Sequence, residues 1–310
     1  MKNLKKILAI ILVIAMAITT MITGTIPASA AAFDQNNIGY VIICLDRYNS
    51  GTKDGQGNYQ GHTFLVLLDN YGQAEYFSFA PTDENMAWLG TLSIKNTSYG
   101  GKVTYRKYTH SQVVQSLRNG NFSGNNVSEY VIVEVTPEQG RKIASYCHMY
   151  YGDPPRYRVS LTNTNDVYVC DSYVAGALNS AGLKYSVKYV YTNDPITKKV
   201  WGYVASPYRS FDEYKSINNG LNKLYSKTGT GNFTDLYLPP RASTRIVTAS
   251  SLNVRQWPHG EAAKVGSLAQ NAKVSVIQTV INIYGEHWVL INYNGKKTNT
   301  YVHAGYLKFT

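Results

Sequence analysis

Residues 167–182 read VYVCDSYVAGALNSAG, and residues 61–68 read GHTFLVLL. The first stretch predicts a helix that begins at Cys170 or the residue after it. It should end before Gly182, because glycine favours the left-handed conformation that closes many helices. The second stretch predicts a strand, since a short uninterrupted apolar run is typical of a buried strand. These two elements decide the fold of the first part of the chain, and each begins with a chemically active side chain.

Residues 33–225 mix strands and helices around these two elements. Further strands are predicted over 40–45 and 130–135, and the GHTFLVLL strand turns at 69–72 into a second arm, which forms a hairpin. Thr136 then supplies an N-cap, followed by proline, for a helix that continues to about residue 150. This mixture predicts an α+β domain.

The pattern changes at residue 242 and stays the same to residue 310. Short apolar runs alternate there with turn residues at regular spacing, and no helical period is present. This pattern predicts a small all-β domain. The preceding residues, 226–241, are polar and contain Gly and Pro, so we interpret them as a linker with the domain boundary near residue 240.

Residues 1–30 have the pattern of a targeting segment. Three lysines in the first six residues precede an almost unbroken apolar run over 7–22, and small residues follow at 28–31. This order is typical of a secretory signal peptide. A membrane anchor is the alternative, but the apolar run is shorter than the roughly 18–20 residues that a span needs. We therefore expect a secreted protein, extracellular or attached to the cell wall, with no stable membrane insertion after cleavage.

Composition and charge reduce the number of protein classes and binding partners that fit the sequence. The chain has 310 residues, 44% of them apolar, and a formal net charge of +11. This apolar content supplies enough material for a buried core and argues against a disordered protein. Residues 242–310 hold seven basic and two acidic residues, a net charge of +5. A basic, tyrosine-rich surface suits an anionic wall polymer, although it also suits solubility alone. The basic residues form no nucleic-acid-binding motif, so no nucleic acid is expected as a partner.

Three cysteines, Cys44, Cys147 and Cys170, cannot all pair within one chain. Cys44 lies on a predicted strand and Cys147 on the apolar side of a predicted helix, so both are interpreted as core residues. Cys170 begins a helix, where free N–H groups and the helix dipole stabilise a thiolate and lower the pKa of a thiol. It is the candidate nucleophile. Asp171 is interpreted as an acid that the same dipole favours.

A cysteine nucleophile needs a base, and His62 is the strongest candidate. It opens an apolar strand at a position where a core residue would normally be aliphatic. Of the other histidines, His148 lies on a predicted helix and His110 is interpreted as a surface residue, while the rest lie in the small domain. The alternative is a buried cysteine and a strand-end histidine that serve the core alone.

The passages around His62 and Cys170 resemble the circularly permuted papain-like thiol hydrolases, relatives of the NlpC-type cell-wall peptidases and of lecithin:retinol acyltransferase. The resemblance implies an antiparallel sheet that carries His62, followed by a helix that begins with Cys170. It also implies a third polar residue, on the neighbouring strand, that orients the imidazole. Ser78 is the candidate, because a three-residue hairpin loop puts it on the face of His62. A shift by one residue would bring Glu75 there instead, and a solvent-facing Ser78 is a further alternative.

The small domain resembles the bacterial SH3-like domains. The resemblance rests on SSLNVR at 250–255, VGSL at 265–268, WVLI at 288–291 and YVH at 301–303. Where the family commonly has Gly-Trp before Val-His, this chain has Thr300 and Tyr301. The resemblance implies a small barrel, with Leu252 and Trp288 in its core, that attaches a secreted enzyme to cell-wall peptidoglycan. Trp257 and Tyr284, in loop-like stretches, are the candidate substrate-binding residues.

No cluster of residues has metal-ligand spacing, and no glycine-rich loop joins a strand to a helix, so neither a metal nor another cofactor is expected. The favoured hypothesis is a secreted thiol hydrolase, an amidase or endopeptidase, that acts on peptidoglycan peptides with Cys170, His62 and Ser78 as catalytic residues. Two alternatives stay open. One is a non-catalytic wall-binding protein, and the other is a papain-like acyltransferase or lipid-directed thiol enzyme.

Overall fold

The computed structural model of the chain describes residues 32–47, 61–82, 100–157, 167–193, 200–218, 224–228, 235–240 and 242–309. The segment interpreted as a signal peptide, residues 1–30, lies outside these ranges. Residues 33–310 form one compact unit. Within the described ranges, no helix combines the length and the apolar character that crossing a membrane requires.

The described residues confirm an α+β part followed by an all-β part. The helices are α1 (His110–Asn119), α2 (Pro137–Gly152), α3 (Cys170–Ser180) and α4 (Pro207–Asn218), with short 3-10 helices at Gln35–Asn37 and Ala304–Tyr306. The strands of the first part are β1 (Ile38–Asp46), β2 (His62–Asp69), β3 (Gln73–Pro81), β4 (Gly101–Thr109), β5 (Asn121–Phe122), β6 (Asn125–Asn126), β7 (Glu129–Glu134), β8 (Arg156–Tyr157), β9 (Val167–Tyr168), β10 (Tyr189–Asn193), β11 (Val200–Ala205) and β12 (Leu224–Thr228). The strands of the second part are β13 (Leu236–Tyr237), β14 (Ser243–Val247), β15 (Ser251–Arg255), β16 (Lys264–Ala269), β17 (Lys273–Ile281), β18 (His287–Ile291), β19 (Tyr301–His303) and β20 (Leu307–Phe309).

The first part is built on an antiparallel sheet with strand order β12-β7-β1-β2-β3-β4. Because side chains alternate across a sheet, this sheet buries a different set of residues on each face. One face, which carries Leu65 and Phe77, packs against α2, α3 and α4. The other face, which carries Phe64 and Tyr76, packs against α1 and the β5–β6 hairpin. Neighbouring residues of β2 therefore serve two separate cores.

Local sequence signals account for the ends of the helices. The hydroxyl of Thr136 accepts the backbone N–H of the third helical residue and so caps α2, as predicted, and Thr109 caps α1 in the same way. Helix α3 begins after Val169, which has no side-chain oxygen to accept an N–H of the first turn, although the backbone N–H of Val169 donates to Oγ of Ser172 at 2.8 Å. It ends before Gly182, whose φ of 77° is the predicted left-handed closure.

The second part is one antiparallel sheet with strand order β16-β15-β19-β18-β17-β14-β20, and β13 is joined to β17. Leu252 and Trp288 are buried in it, as predicted. The predicted closure into a barrel is wrong for the described residues, because β16 and β20 stand at the two ends of the hydrogen-bonded order and do not pair. The region is therefore SH3-like in its strands and open in its sheet.

Residues 226–241, predicted to be a linker, are partly built into both sheets. Strand β12 pairs with β7 in the first sheet, and β13 pairs with β17 in the second. Leu236 and Leu238 are buried in the core of the first part, together with Ile281 from the second. The boundary expected near residue 240 is therefore not a break in packing, because these apolar side chains cover one face of the first sheet.

A pair of histidines also joins the two parts. His110 begins α1 and His287 begins β18, and Nδ1 of His110 lies 2.8 Å from Nε2 of His287. The second nitrogen of His110, Nε2, lies 3.1 Å from the backbone oxygen of Gln73. The hydroxyl of Ser111 donates to the backbone oxygen of Ile283 at 2.9 Å. The interpretation of His110 as a surface residue is wrong, because these contacts leave it 2% exposed.

Candidate active site

Cys170 is the first residue of α3 and is buried. Its sulfur interacts with the backbone N–H and the hydroxyl of Thr63, and with the hydroxyl of Tyr157. Cys44 and Cys147 are buried in the cores on the two faces of the sheet, as predicted, and all three cysteines are free. The helix-start thiol thus lies against the beginning of β2.

Burial governs the Cys170 thiol more strongly than the helix N-terminus does. Desolvation raises the pKa of this thiol to about 12, although hydrogen bonds from Thr63 and from the backbone of Asp171 act in the opposite direction. The expected lowering of the pKa is therefore wrong for this structure. A thiolate in this position loses more hydration than the surrounding N–H groups replace, so the resting thiol is protonated at neutral pH.

His62, the first residue of β2, is buried. Its Nε2 lies 2.8 Å from Oγ of Ser78 on β3, and its ring stacks on Phe64 with 6.0 Å between the centroids. Burial lowers the pKa of His62 to about 4, so the imidazole is neutral at neutral pH and has a nitrogen that can accept a proton. Among the residues that the structure describes, Nδ1 has no hydrogen-bond partner.

The strand register accounts for the contact between His62 and Ser78. Strands β2 and β3 pair in the register that a three-residue loop implies, so Ser78 lies on the same face as His62. Glu75, the alternative under a shift of one residue, lies on the other face, where its carboxylate is 2.7 Å from Nε2 of His148. Ser78 is buried, so it is not a solvent-facing residue. Its catalytic role stays a prediction.

The predicted nucleophile and the predicted base lie at the same end of β2 but form no hydrogen bond with each other. Cys170 contacts Thr63 on the face that α3 covers, whereas His62 is directed to the opposite face, toward Ser78. Catalytic hydrogen bonds are often long in unliganded enzymes and tighten when substrate binds. The structure thus brings His62 and Ser78 together and puts Cys170 against the next residue of the strand.

Sequence reasoning missed the burial of Asp171. Its carboxylate lies 2.5 Å from Oγ of Ser210 and accepts hydrogen bonds from Tyr185 at 2.8 Å and from Thr63 at 3.4 Å. Burial raises the pKa of Asp171 to about 6. The signal that points to this burial is the apolar sequence on both sides of the residue. Asp171 ties the start of α3 to α4 and to β2, directly beside the Cys170 thiol.

Sequence reasoning also missed Asn125, which belongs to the β5–β6 hairpin. Its side-chain Nδ2 lies 3.2 Å from Oγ of Ser78 and hydrogen-bonds to the hydroxyl of Tyr76. No sequence signal joins Asn125 to a serine 47 residues away, so only the folded chain shows this contact. In the part of the chain that the structure describes, no group of three or more His, Cys, Asp or Glu side chains is arranged to hold a metal ion.

The second part presents an exposed aromatic group. Trp257 is 53% exposed and Tyr284 is 60% exposed, and the rings of Tyr284 and His259 are 5.1 Å apart. Asn282 joins their two loops, because its amide donates to the backbone oxygen of Pro258 at 3.0 Å and its side-chain oxygen accepts the N–H of Tyr284. The structure thus holds both predicted substrate-binding residues on loops that are linked to each other.

Comparison with protein-family models identifies one region of the chain. Residues 250–308 match the model of the bacterial SH3 domain, and this range covers β15 to β19 and part of β20. Comparison with curated proteins gave no match.

Several solved structures are similar to the chain at low identity. The crystal structure of Ly7917 is 16% identical over 37% of this chain and 44% of that chain, with a TM-score of 0.20. Ly7917 with the hydrolyzing product of MDP is 12% identical over 90% of this chain and 60% of that chain, with a TM-score of 0.20. The antimicrobial peptidase lysostaphin from Staphylococcus simulans is 11% identical over 87% of this chain and 88% of that chain, with a TM-score of 0.22. The chain thus spans less than two thirds of both Ly7917 chains. TM-scores at this level establish no common fold, so what can be identified is the C-terminal region, which is a bacterial SH3 domain.

Proposed function

We propose that this protein is a secreted thiol hydrolase, an amidase or endopeptidase, that cleaves an amide bond in peptidoglycan peptides and is held at the cell wall by its SH3 domain. The observation that carries the proposal is the buried pair of His62 and Ser78, 2.8 Å apart, at the end of β2 against which the Cys170 thiol packs. A nucleophile, a base and an orienting group are the parts that cysteine-dependent acyl transfer needs.

The reaction would begin with transfer of the Cys170 thiol proton to Nδ1 of His62. The sulfur then forms a bond to the amide carbonyl carbon, and the carbonyl oxygen takes up the negative charge of the tetrahedral intermediate. Backbone N–H groups of the first turn of α3, which has no side-chain cap, are suited to stabilise that oxygen. Collapse breaks the C–N bond, His62 gives its proton to the departing amine, and an acyl-enzyme thioester is left. A water molecule activated by His62 hydrolyses the thioester.

The pKa values specify when the proton moves. With the thiol pKa raised to about 12 and the imidazole pKa lowered to about 4, both by burial, the resting pair is neutral. The thiolate is therefore generated during the attack on substrate, and it is not present beforehand as part of an ion pair. In the resting structure the two side chains share no hydrogen bond, and His62 is directed to the face of the sheet opposite Cys170. The mechanism therefore requires the His62 side chain to turn toward Cys170 when substrate binds.

The SH3 domain supports the choice of cell-wall peptide as the substrate. Trp257 and Tyr284 offer exposed aromatic faces on linked loops, and the net charge of +5 over residues 242–310 suits an anionic wall. We propose these two residues as contacts with peptidoglycan. Substitution of both by alanine should reduce the fraction of the protein that pellets with purified cell-wall sacculi, whereas Tyr306→Ala, another exposed aromatic residue of the domain, should leave pelleting unchanged.

A second candidate function is wall binding without catalysis. The raised thiol pKa and the missing contact between Cys170 and His62 favour it. Incubation of sacculi with the protein and with Cys170→Ala, followed by mass analysis of the released fragments, separates the two functions. We expect new amino termini with the wild type and none with the variant. Cys147→Ala, which changes a buried cysteine elsewhere in the same part, is the matched control. Equal release by the wild type and Cys170→Ala would overturn the thiol mechanism.

The proposed secretion has its own test. Expression of the full chain in a bacterium with a secretion pathway should yield extracellular protein whose intact mass lacks about the first 30 residues, since an Ala-rich stretch follows the apolar run. Retention of the full mass in the membrane fraction would favour the anchor alternative and contradict secretion.

A further inference from the structure

A single serine hydroxyl restricts the orientation of an imidazole ring only weakly. Its hydroxyl rotates and can either donate or accept, so Ser78 alone sets neither the ring orientation nor the tautomer of His62. The structure gives Ser78 two further polar neighbours. They are the amide of Asn125, at 3.2 Å, and the hydroxyl of Tyr76.

The β5–β6 hairpin holds Asn125 in place from several directions. The turn of the hairpin contains two residues in the left-handed region, Ser123 with φ 51° and Gly124 with φ 95°. Phe122 anchors the hairpin, because its ring packs on Phe64 at 6.0 Å and stacks on Tyr76 at 6.0 Å. The amide of Asn125 therefore reaches Ser78 from a tightly turned and well-packed element.

The residue after Asn125 extends this anchoring to the other neighbour of β2. The backbone N–H of Asn126 donates to the carboxylate of Asp46 at 3.2 Å. Asp46 is buried and lies directly opposite His62 in the pairing of β1 with β2. The hairpin thus contacts β1 at the residue opposite His62, and it contacts β3 at Ser78, the residue that bonds to the His62 ring.

We propose that Asn125 is a positioning residue for His62. It acts through Ser78 and keeps the ring proton on Nε2, so that Nδ1 is left as the proton acceptor. The inference rests on the proposed function for its catalytic meaning, but the positioning itself concerns His62 alone. In effect, the orienting group that the thiol-hydrolase resemblance implies is divided here between a serine on the neighbouring strand and an amide on a separate hairpin.

Hydrogen-bond counting favours this tautomer. The Asn125 amide nitrogen only donates, so it occupies one lone pair of the Ser78 oxygen. The second lone pair can accept Nε2–H of His62, and the serine proton can go to the oxygen of Tyr76, with which Ser78 also interacts. The opposite arrangement would put the ring proton on Nδ1 and require the Ser78 hydroxyl to donate to Nε2, so that the oxygen of Tyr76 would lose this proton.

Imidazole ¹⁵N NMR tests the inference independently of catalysis. In uniformly labelled full-length protein, with the His62 signals assigned by their loss in His62→Gln, we expect one neutral tautomer with the proton on Nε2. In Asn125→Ala the two nitrogen shifts should move toward values averaged over both tautomers. Asn126→Ala, the matched control on the same hairpin, removes an exposed side chain and keeps the backbone N–H, so it should leave the shifts unchanged.

Asn125→Asp is a second variant, of nearly the same size. It separates the loss of the hydrogen bond from a folding defect that Asn125→Ala could cause. Its carboxylate cannot donate to Ser78 but can accept the Ser78 hydroxyl proton, so the Nε2–H tautomer should be retained while the negative charge raises the pKa of His62. A pH titration of the same nitrogen signals measures that rise. In hydrolysis assays Asn125→Ala should lower kcat about tenfold with less than a twofold change in KM, as expected for a group that acts on the chemical step.

Unchanged His62 shifts in Asn125→Ala, together with an unchanged pKa of His62 in Asn125→Asp, would overturn the inference. Equal perturbation by Asn126→Ala would also overturn it, because the effect would then come from the hairpin as a whole. Absence of hydrolysis, or hydrolysis that survives Cys170→Ala, would contradict the proposed function and leave the NMR result to decide the role of Asn125.

Discussion

His62 and His110 are two buried histidines in almost the same physical state. Each is the first residue of an element, β2 for His62 and α1 for His110, and burial lowers the pKa of each to about 4. They differ in how many ring nitrogens are bonded. Both nitrogens of His110 have partners, Gln73 and His287, whereas in the described structure His62 uses Nε2 alone, on Ser78.

This difference separates a structural histidine from one that is available for chemistry. The Gln73 oxygen can only accept, so Nε2 of His110 carries the proton and Nδ1 must accept from Nε2–H of His287. The His110 ring has no capacity left for a substrate proton. Among the described residues, Nδ1 of His62 has no hydrogen-bond partner, and this residue lies at the strand end that contacts Cys170. A lowered pKa alone would not have distinguished the two.

The largest expected effect is on hydrolysis and concerns one histidine only. His62→Gln should lower kcat by about 10²–10⁴-fold, the usual contribution of a general base. His110→Gln should keep kcat within a few-fold of the wild type, since its ring faces the junction with the SH3 domain. Rates of fragment release from sacculi, measured at equal amounts of folded protein, check this. A similar loss of kcat in both variants would contradict the assignment of His62 as the base and of His110 as a structural residue.

The next effect is on stability in acid, where both histidines should act in the same direction. A buried histidine with a lowered pKa stays neutral in the folded chain while the unfolded chain takes up a proton. Stability is therefore full above pH 6.5 and is lost as the pH falls from 6.5 to about 4 for His62 and His110, and to about 3 for His287. The shifts of His62 and His110 are each worth about 3 kcal/mol, and that of His287 about 5 kcal/mol.

One carboxyl group opposes this trend. The pKa of Asp171 is raised to about 6, so its burial should cost less as the pH falls from about 6 toward 3.8. Three histidines outweigh it, and urea unfolding between pH 7 and pH 4 should show a net loss of stability. His110→Gln should make that loss shallower. A stability that rises steadily over this range would contradict the assignment of neutral buried histidines.

The contact between His110 and His287 should show as a coupling energy. Substitution of either residue by alanine leaves a polar ring group of its partner without a hydrogen bond, which costs about 1–3 kcal/mol. The double variant should cost less than the sum of the two single variants. Urea unfolding of the four proteins measures this difference, and strict additivity would mean that the contact contributes nothing.

The smallest expected effect concerns the Cys170 thiol. Asp171→Asn removes a charge that raises the pKa of this thiol, so alkylation by iodoacetamide should become a few-fold faster above about pH 6, where Asp171 is ionised. Below that pH the difference should vanish. Peptide mass mapping isolates Cys170 from the other cysteines. Asp212→Asn, which changes a carboxylate paired with Arg47, is the control and should leave the rate unchanged.

Sequence reasoning reached the parts of the molecule that depend on local patterns. The caps of α2 and α3, the β2–β3 hairpin register and the strands of the SH3 domain follow from turn residues, caps and alternation. It failed for features of the fold and the site that depend on burial by residues far away in the sequence. Burial of Leu236 and Leu238 makes part of the predicted polar linker belong to the core, and at Cys170 desolvation outweighs the hydrogen bonds from Thr63 and from the backbone of Asp171.

The same difference between local and long-range contacts applies to the residues of the candidate site. Ser78 could be chosen from the register of one hairpin, because its contact with His62 spans 16 residues. Asn125 could not, because its contact with Ser78 depends on how a second hairpin packs. The partner of His110 lies 177 residues away. No local sequence pattern carries information over such distances. The contact with His287 could therefore not be predicted, and from the sequence alone His110 is interpreted as a surface residue.

The most direct test of the central claim is to trap the acyl-enzyme on Cys170. Wild-type protein incubated with soluble peptidoglycan peptides and quenched in acid should gain the mass of an acyl fragment in intact-protein mass spectrometry. The adduct should map to Cys170, be released by neutral hydroxylamine as a thioester is, and be absent from Cys170→Ala. Fragment release without any adduct, together with full activity of Cys170→Ala, would contradict the account.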